Sequence, residues 1–417
     1  MRFHREPIQV EEARERVLAY AEKNPVERVP LLESEGRRLA EPIQATNDVP
    51  HFPKSPYDGF AVRAEDTSGA TPAMPVELEV VGAIACGDEP AFTVEAGQAA
   101  RIMTGAAIPQ GADCVIMFEM TTENEERVER YVGVKKEMEP GENIIQLGEE
   151  KKAGDLLIEA GKRIGPGEMA ILATFGYAEV PVYRLPRIGI LATGSELLMP
   201  EEPLRYGKIR NSNSYMTASQ VRQAGGVPIL YGNLEDDPDK AVERILMILE
   251  ETDMLITSGG VSVGDFDIMV EVFNRLDAQL LFNKIAMRPG SVTSAARYND
   301  QFIFGLSGNP GACFVGFELF VRPLLAAMQG KPEVHLPETK AILGVDMKKP
   351  SPFDRFVRSS WAIEDGRVVV YPVGRDKSGV VTNITDANCL MRIPPGGSGA
   401  AKGEEVTILQ LPYNVGE

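Results

Sequence analysis

The sequence reads as a multidomain α/β plus β protein built around a doubly wound α/β domain. Two observations carry that reading. Between Arg187 and Met328 short apolar strands alternate with stretches of helical spacing, the pattern of a parallel sheet covered on both faces. On either side of this region, short apolar runs are broken by Gly and Pro, the texture of β structure. At 417 residues the chain also exceeds what one compact core normally holds.

Taken in order, Val10, Ala13, Val17, Leu18 and Ala21 recur at helical spacing and predict an opening helix that stops near Asn24-Pro25. From about Val49 to Gly141 runs such as Val76–Ile84 and Asp113–Met117 predict strands. A helix is expected at Gly167–Thr174, where a loose GxGxxA (Gly165 to Ala170) reads as a helix start rather than a nucleotide loop. Val180 to Pro186 reads as a Pro-flanked link. Strands then follow at Arg187–Ala192, Val227–Leu234 and Met254–Thr257. Helices are expected at Ser214–Ala224, Pro238–Glu251, Phe266–Leu276 and Gly311–Met328. Past Lys331-Pro332, strands such as Arg367–Tyr371 and Glu405–Leu411 predict a small β domain.

Composition excludes several classes. A net charge of −18 argues against a nucleic-acid binder. It leaves an anionic small ligand possible, because screening over about 8 Å lets a few cations in a cleft outweigh distant carboxylates. The four cysteines are far apart and form no CxxC pair, which suits reduced thiols and gives no zinc signal. Three histidines leave little room for a His-based site. Phe302 to Val321 is interrupted by Ser307, Asn309, Pro310 and Glu318, and no apolar leader is evident at the N-terminus. The expectation is a cytoplasmic protein that engages neither membrane nor nucleic acid.

Chemistry concentrates where three strands end. In a doubly wound sheet ligands bind outside the carboxyl ends of the strands. Here those ends run into Thr193-Gly194-Ser195-Glu196, into Glu235-Asp236-Asp237-Pro238, and into Ser258 to Asp267. The last loop holds Gly259, Gly260, Ser262 and Gly264 ahead of a helix, so its backbone N–H groups could approach an anion. Glu196, Asp236 and Asp267 could hold Mg²⁺ directly or through water. The same acids would equally serve as helix caps or favourable first-turn charges, as Asp237 before Pro238 illustrates, and both roles stay open. Lys284 and Arg288 lie four apart; if their segment is a strand, both point to one face. Lys208 and Arg210 precede the polar run Asn211 to Ser214.

Longer motifs now bear on identity. Ser55-Pro56-Tyr57-Asp58-Gly59-Phe60-Ala61-Val62-Arg63, Arg101 to Pro109 with Gly111-Ala112-Asp113, Thr193–Glu196, Ser258–Asp267 and Gly308-Asn309-Pro310 resemble, in order, the signatures of the family of bacterial MoeA and the gephyrin E domain. The resemblance implies four domains. Residues 1–47 and 142–184 would form a discontinuous N-terminal domain, 48–141 an inserted β domain, 185–331 the α/β molybdopterin-binding domain, and 332–417 a C-terminal β-barrel-like domain. It implies a homodimer whose active cleft is shared, with Asp58 and Thr104 facing Asp236 and Asp267 across two subunits. The implied reaction inserts molybdate into adenylyl-molybdopterin, with Mg²⁺ present, and yields molybdenum cofactor and AMP. Asp58, Thr104, Glu196, Asp236 and Asp267 would be catalytic. Ser258, Gly259, Gly260, Ser262, Lys284, Arg288, Gly308, Asn309, Pro310, Arg358 and Ser378 would bind substrate. The family often carries lysine at the positions of Arg288 and Ser291 and proline at Ser307, so the cations beside the oxyanion differ here.

Two other functions share parts of this pattern. Enzymes that adenylylate molybdopterin share the α/β domain and its SGGVS loop, yet they lack the long N- and C-terminal parts. A gephyrin-like scaffold dimer would cluster partners through its surface, yet no appended interaction linker is visible. Other enzymes of the molybdopterin pathway are possible partners.

Overall fold

The structure, a computed structural model, describes residues 6–122, 130–234, 238–260, 268–397 and 399–413. The chain packs as two compact units: Met1–Glu41, Ala160–Ile164 and Glu179–Glu417 form one, and Pro42–Glu159 with Gly165–Ala178 the other.

In the first unit the opening helix spans Val10–Leu18 and buries Val10, Ala13 and Val17. It stops at Leu18, short of the expected end near Asn24-Pro25. Tyr20 and Ala21 still pack on the core, but the chain is turned away by Asn24, whose N–H donates to Met328 O (2.7 Å) and whose Nδ2 donates to Arg184 O (2.7 Å). The expected link at Val180–Pro186 is in part a strand: Glu179–Tyr183 pairs antiparallel with Val26–Pro30. Valines on both sides of Pro181 are buried, and Pro181 is held through its carbonyl, which accepts from Ala40 N–H at 3.0 Å.

The central sheet has six strands in the order 227–234, 187–193, 254–258, 301–306, 294–298, 279–282. The first four run parallel, the fifth is antiparallel to both of its neighbours, and the sixth therefore points the same way as the first four. The parallel sheet expected from the alternation is present in the strands 187–193, 227–234 and 254–258, and the antiparallel strand 294–298 makes the complete sheet a mixed one. The cause is local: Tyr298 and Gln301 pair across Asn299-Asp300, and a two-residue turn can only fold a strand straight back. Asn299 takes the positive φ (52°) that such a turn requires, and Arg297 Nη2 holds Asp300 Oδ1 at 2.6 Å.

Alternate residues of each strand enter two different cores, which is the pleat expressed as packing. Ile188, Ile190, Ile256 and Phe304 join the cluster around the helix that starts at Pro310. Leu191, Leu255 and Ile303 join the cluster around helices Pro238–Glu251 and Ile268–Arg275. Both faces are thus covered, as a doubly wound sheet demands.

The helix Pro310–Met328 is long and apolar enough to cross a membrane by length and composition, but 94% of that stretch is buried inside the protein, so it is core. Its middle turn, Phe317–Val321, is a π-helix, with α-helical turns on either side. Glu318 in that turn is completely buried, and its Oε1 accepts from Gln220 Nε2 (2.7 Å), Tyr413 OH (2.7 Å) and Arg322 Nη2 (3.0 Å). Arg322 also pairs with Oε2 and donates to Tyr413 OH, so this buried charge is fully matched.

Beyond Pro337 five strands, 338–343, 354–364, 367–372, 389–393 and 405–410, close into a barrel, because 354–364 pairs with both 367–372 and 389–393. Inward-facing Leu343, Val357, Val370, Met391 and Ile408 fill it. A sixth short strand, Met287–Arg288, lies parallel to Asp354–Arg355.

The second unit holds a six-stranded sheet in the order 114–117, 59–62, 98–102, 76–84, 131–134, 121–122. Its helix, Pro166–Thr174, opens at Gly165, whose N–H donates to Glu168 Oε2 at 2.9 Å; the GxGxxA is a helix start.

The Glu318–Arg322 pair generates a stability prediction. Arg322→Met leaves a buried carboxylate uncompensated and should lower the unfolding free energy by about 3–5 kcal/mol in urea titrations. Glu318→Leu combined with Arg322→Met should recover most of that loss. Equal destabilisation of single and double variants would show that packing volume, not charge pairing, matters here.

Candidate functional site

Three strand ends of the first unit meet in close backbone contact. Gly259 N–H donates to Leu306 O at 3.0 Å, and Thr193 Oγ1 donates to Ser258 O at 3.3 Å. Gly259 takes φ +88°, and a Cβ there would stand 2.4 Å from Thr193 O; no other residue fits without separating the strands. Gly308 lies directly beside Gly259. The expected residues Ser258, Gly259, Gly308, Asn309 and Pro310 are thus brought to one edge of the sheet. Gly260 follows with φ 67°, and Glu196 is exposed on the adjoining turn. Ser262, Asp236 and Asp267 lie outside the described residues.

Asn309 and Pro310 begin the core helix, with Ala312 and Cys313 N–H groups donating to Asn309 O. The barrel reaches this helix start. Gly311 N–H donates to Ser378 O at 2.8 Å, and Arg358 Nη1 occupies the space where a Cβ on Gly311 would sit, 1.8 Å away. Arg358 is buried and held by Asn383 Oδ1 (3.1 Å) and Lys377 O (3.0 Å). Burial pulls its guanidinium below the ordinary arginine range, and Asp376 partly opposes this.

Beside these elements opens a cavity of about 740 Å³, lined by Arg288, Ser291, Ser307, Asn309, Lys349 and Ser378 among others. That volume suits a small organic ligand. Arg355, also in its wall, is paired with Asp376 and donates to Lys349 O at 2.8 Å. Arg288, Lys349 and Lys377 line it and form no ion pair among the described residues, so the cavity is cationic within an acidic protein. Lys284 does not line it. The same-face argument for Lys284 and Arg288 is corrected: only Met287–Arg288 is strand, because Ile285 is engaged by Ile8 in a separate bridge and the chain bends between.

The sequence reading missed Lys349 and Lys377, which lie on barrel loops with no periodicity to mark them, and Arg355, near the start of the barrel strand Asp354–Glu364. It also missed Asn213 as a site residue, although it noted the polar run. Asn213 is buried, its Nδ2 donates to Gly308 O at 2.9 Å, and its Oδ1 has no hydrogen-bond partner. A buried acceptor left unpaired beside the glycine loop is suited to meet a donor on a ligand.

Asp58 and Thr104 belong to the second unit and meet there. Gly59 pairs with Ile102, so the residues just outside that pair approach each other. Asp58 Oδ1 accepts from Thr104 N–H (2.7 Å) and Thr104 Oγ1 (2.8 Å). These two bonds hold the Asp58 carboxyl below the usual carboxylate range, so it stays ionised at neutral pH. No group of three or more His, Cys, Asp or Glu that could hold a metal occurs among the described residues.

Comparison with known proteins agrees along the whole chain. Residues 8–176 match the MoeA N-terminal region (domain I and II), 189–327 a probable molybdopterin binding domain, and 340–411 the MoeA C-terminal region (domain IV). The molybdopterin molybdenumtransferase of Bacillus subtilis (strain 168) is 46% identical over 407 residues, which cover 98% of this chain and 95% of that protein. That of Staphylococcus aureus (strain COL) is 44% identical over 413 residues, covering 99% and 98%. Among solved structures, the molybdopterin biosynthesis MoeA protein from Pyrococcus horikosii matches with a TM-score of 0.85 and 31% identity, over 97% of this chain and 99% of its own. With its regions matched in order and nearly its full length covered, the chain belongs to the MoeA family of molybdopterin molybdenumtransferases.

Proposed function

We propose that this chain inserts molybdate into adenylyl-molybdopterin, releasing AMP and molybdenum cofactor. The observation that carries the reading is the cationic cavity of about 740 Å³ at the edge of the α/β sheet, walled by Arg288, Lys349 and Lys377 and adjoining Asn309 of the Gly308–Pro310 loop. Both substrates are anions that repel each other, and fixed cations in a partly enclosed site offset that repulsion. Gly260 and Ser262 would offer backbone N–H groups and Ser258 and Asn309 polar side chains to the phosphates, while Gly259 and Gly308, lacking side chains, would let them approach and Pro310 would fix the helix start that faces them. Arg358 and Ser378 would hold the barrel loop against the helix start that faces them, and Lys284 would add positive potential from outside the cavity.

Mg²⁺ suits the hard oxygen donors on offer. Glu196 is an exposed carboxylate with no ion-pair partner among the described residues, and Asp236 and Asp267 follow in sequence the strands Val227–Leu234 and Met254–Ser258. These three would hold the ion, which when bound would neutralise charge on the phosphoanhydride.

A homodimer with a shared cleft completes the reading, in a cytoplasmic setting suited to four free cysteines. Asp58 supports it: Oδ1 is committed to Thr104, whereas Oδ2 accepts no hydrogen bond among the described residues and is open to a ligand. The adenylyltransferase and scaffold readings gain no support from a full-length match to molybdenumtransferases.

The direct test is AMP release from adenylyl-molybdopterin with and without molybdate. AMP release together with molybdenum bound to the pterin is expected only when molybdate is present. Consumption of ATP with unadenylylated molybdopterin instead would replace this reading by the adenylylation step.

Arg288→Ala should raise the molybdate concentration for half-maximal insertion about 10- to 150-fold, the value of one charge-assisted hydrogen bond. Arg288→Lys should be milder, since a tetrahedral dianion needs charge more than a planar fork, and Ser291→Lys should lower the requirement. Unchanged molybdate dependence with lost pterin binding would move Arg288 to the pterin site.

Mixing an Asp58→Ala subunit with an Asp267→Ala subunit should restore part of the activity that neither homodimer has. No recovery in purified heterodimers would argue for a cleft built from one chain.

A further inference from the structure

The first unit contains a second cavity, of about 350 Å³, that shares no lining residue with the one just described. Its wall comes from four separate segments and includes Arg38, Gln223, Arg322, Lys331, His335 and Gln410. Three of these six, Arg38, Arg322 and Lys331, are cations in a protein whose net charge is −18, while burial and the nearby Arg14 pull the His335 imidazole below its ordinary range. Their pairing is uneven. Arg322 is committed to Glu318 and Tyr413. Arg38 is half-buried; its Nη1 donates to Gly161 O at 2.8 Å, and it forms no ion pair among the described residues. The Lys331 side chain is half-buried too and has neither a hydrogen bond nor an ion pair among the described residues.

A bland role for Lys331 would be to neutralise the helix C-termini that end here. Those carbonyls are already occupied. Gln329 Nε2 donates to Ala224 O and Leu325 O (2.8 Å each), while the N–H groups of Gln329 and Lys331 donate to Ala326 O at 3.3 and 3.0 Å. Burial, together with the neighbouring Arg38 and Arg322, pulls the Lys331 ammonium below its ordinary range, and burial with the nearby Arg163 does the same to Arg38. Each therefore costs stability as long as no anion is near. Among the described residues Glu333 is the acid whose charge opposes the lowering at Lys331, and it is exposed.

We propose that this cavity is a binding site for a small phosphate-type oxyanion, held between Arg38 and Lys331 with Gln223, Gln410 and His335 as further hydrogen-bonding groups. Its volume accommodates a diphosphate as readily as a single phosphate. The cations come from segments far apart in sequence, so a bound anion would tie the residue-38 segment to the 331–337 linker that leads into the barrel.

The test is calorimetric titration of the intact protein, at low salt, with inorganic phosphate, pyrophosphate and AMP in separate arms. Lys331→Gln and Arg38→Gln are compared with an Arg288→Ala, Lys349→Gln variant of the catalytic cavity. Pyrophosphate binding that survives the catalytic-cavity variant and weakens about tenfold or more in Lys331→Gln is expected, with Lys331→Arg restoring it. Circular dichroism melts of each variant report folding, and the exposed half of Lys331 makes its glutamine variant the secure one should Arg38→Gln unfold. Preference for AMP over pyrophosphate in the same site would assign the phosphate to a nucleotide. No binding in any arm, or binding that disappears only with the catalytic-cavity variant, overturns the proposal without touching the assignment of the catalytic site.

Discussion

Burial of the helix Pro310–Met328 against the central sheet is the constraint from which the rest of the first unit follows. Phe314, Phe317, Phe320 and Leu324 pack on one sheet face beside Ile190, Ile256 and Phe304, and the opening helix Val10–Leu18 joins the same cluster through Val10, Ala13 and Val17. Close packing of this kind leaves the helix no freedom to slide. Its first residues are therefore held next to the glycine loop, and its last residues next to the second cavity. The π-turn in its middle accompanies the one feature that a hydrophobic helix would not otherwise carry, a buried carboxylate with three partners.

Charge is handled in two opposite ways along that helix. Glu318 and Arg322 satisfy each other out of water, and their value lies in geometry more than in net stability, since a buried pair returns little beyond its desolvation cost. Around the two cavities cations are left unmatched. Arg288, Lys349 and Lys377 at one, and Arg38 and Lys331 at the other, hold no carboxylate within ion-pair distance among the described residues. An overall charge of −18 is no obstacle to this, because at a Debye length of about 8 Å the local set dominates.

The sheet edge shows how backbone sterics place chemistry. Gly259 under Thr193 and Gly311 under Arg358 are positions where a single Cβ would separate two elements. The first keeps the parallel strand ends in register. The second lets a barrel guanidinium reach the start of the core helix. Both contacts are structural, yet they decide which side chains surround the cavity.

Much of this was legible in the residues themselves. The alternation of apolar runs from Arg187 to Met328 determined the doubly wound sheet, because burial on both faces needs that pattern, and glycine spacing with Asn309-Pro310 marked where the strand ends open. The ordered motifs from Asp58 to Pro310 determined the family. What the sequence could not carry was anything set by long-range pairing. The antiparallel turn at Asn299-Asp300, the bend between Lys284 and Arg288, and the strand at Glu179–Tyr183 each depend on a partner distant in the chain. Lys349 and Lys377 became cavity residues only when the barrel closed through the double pairing of 354–364. Arg38 came to share a wall with Lys331 only because the N-terminal segment packs beside the end of the core helix. Local spacing determines which face of an element is buried, whereas tertiary packing alone decides which loops, nearly 300 residues apart for Arg38 and Lys331, end up lining the same space.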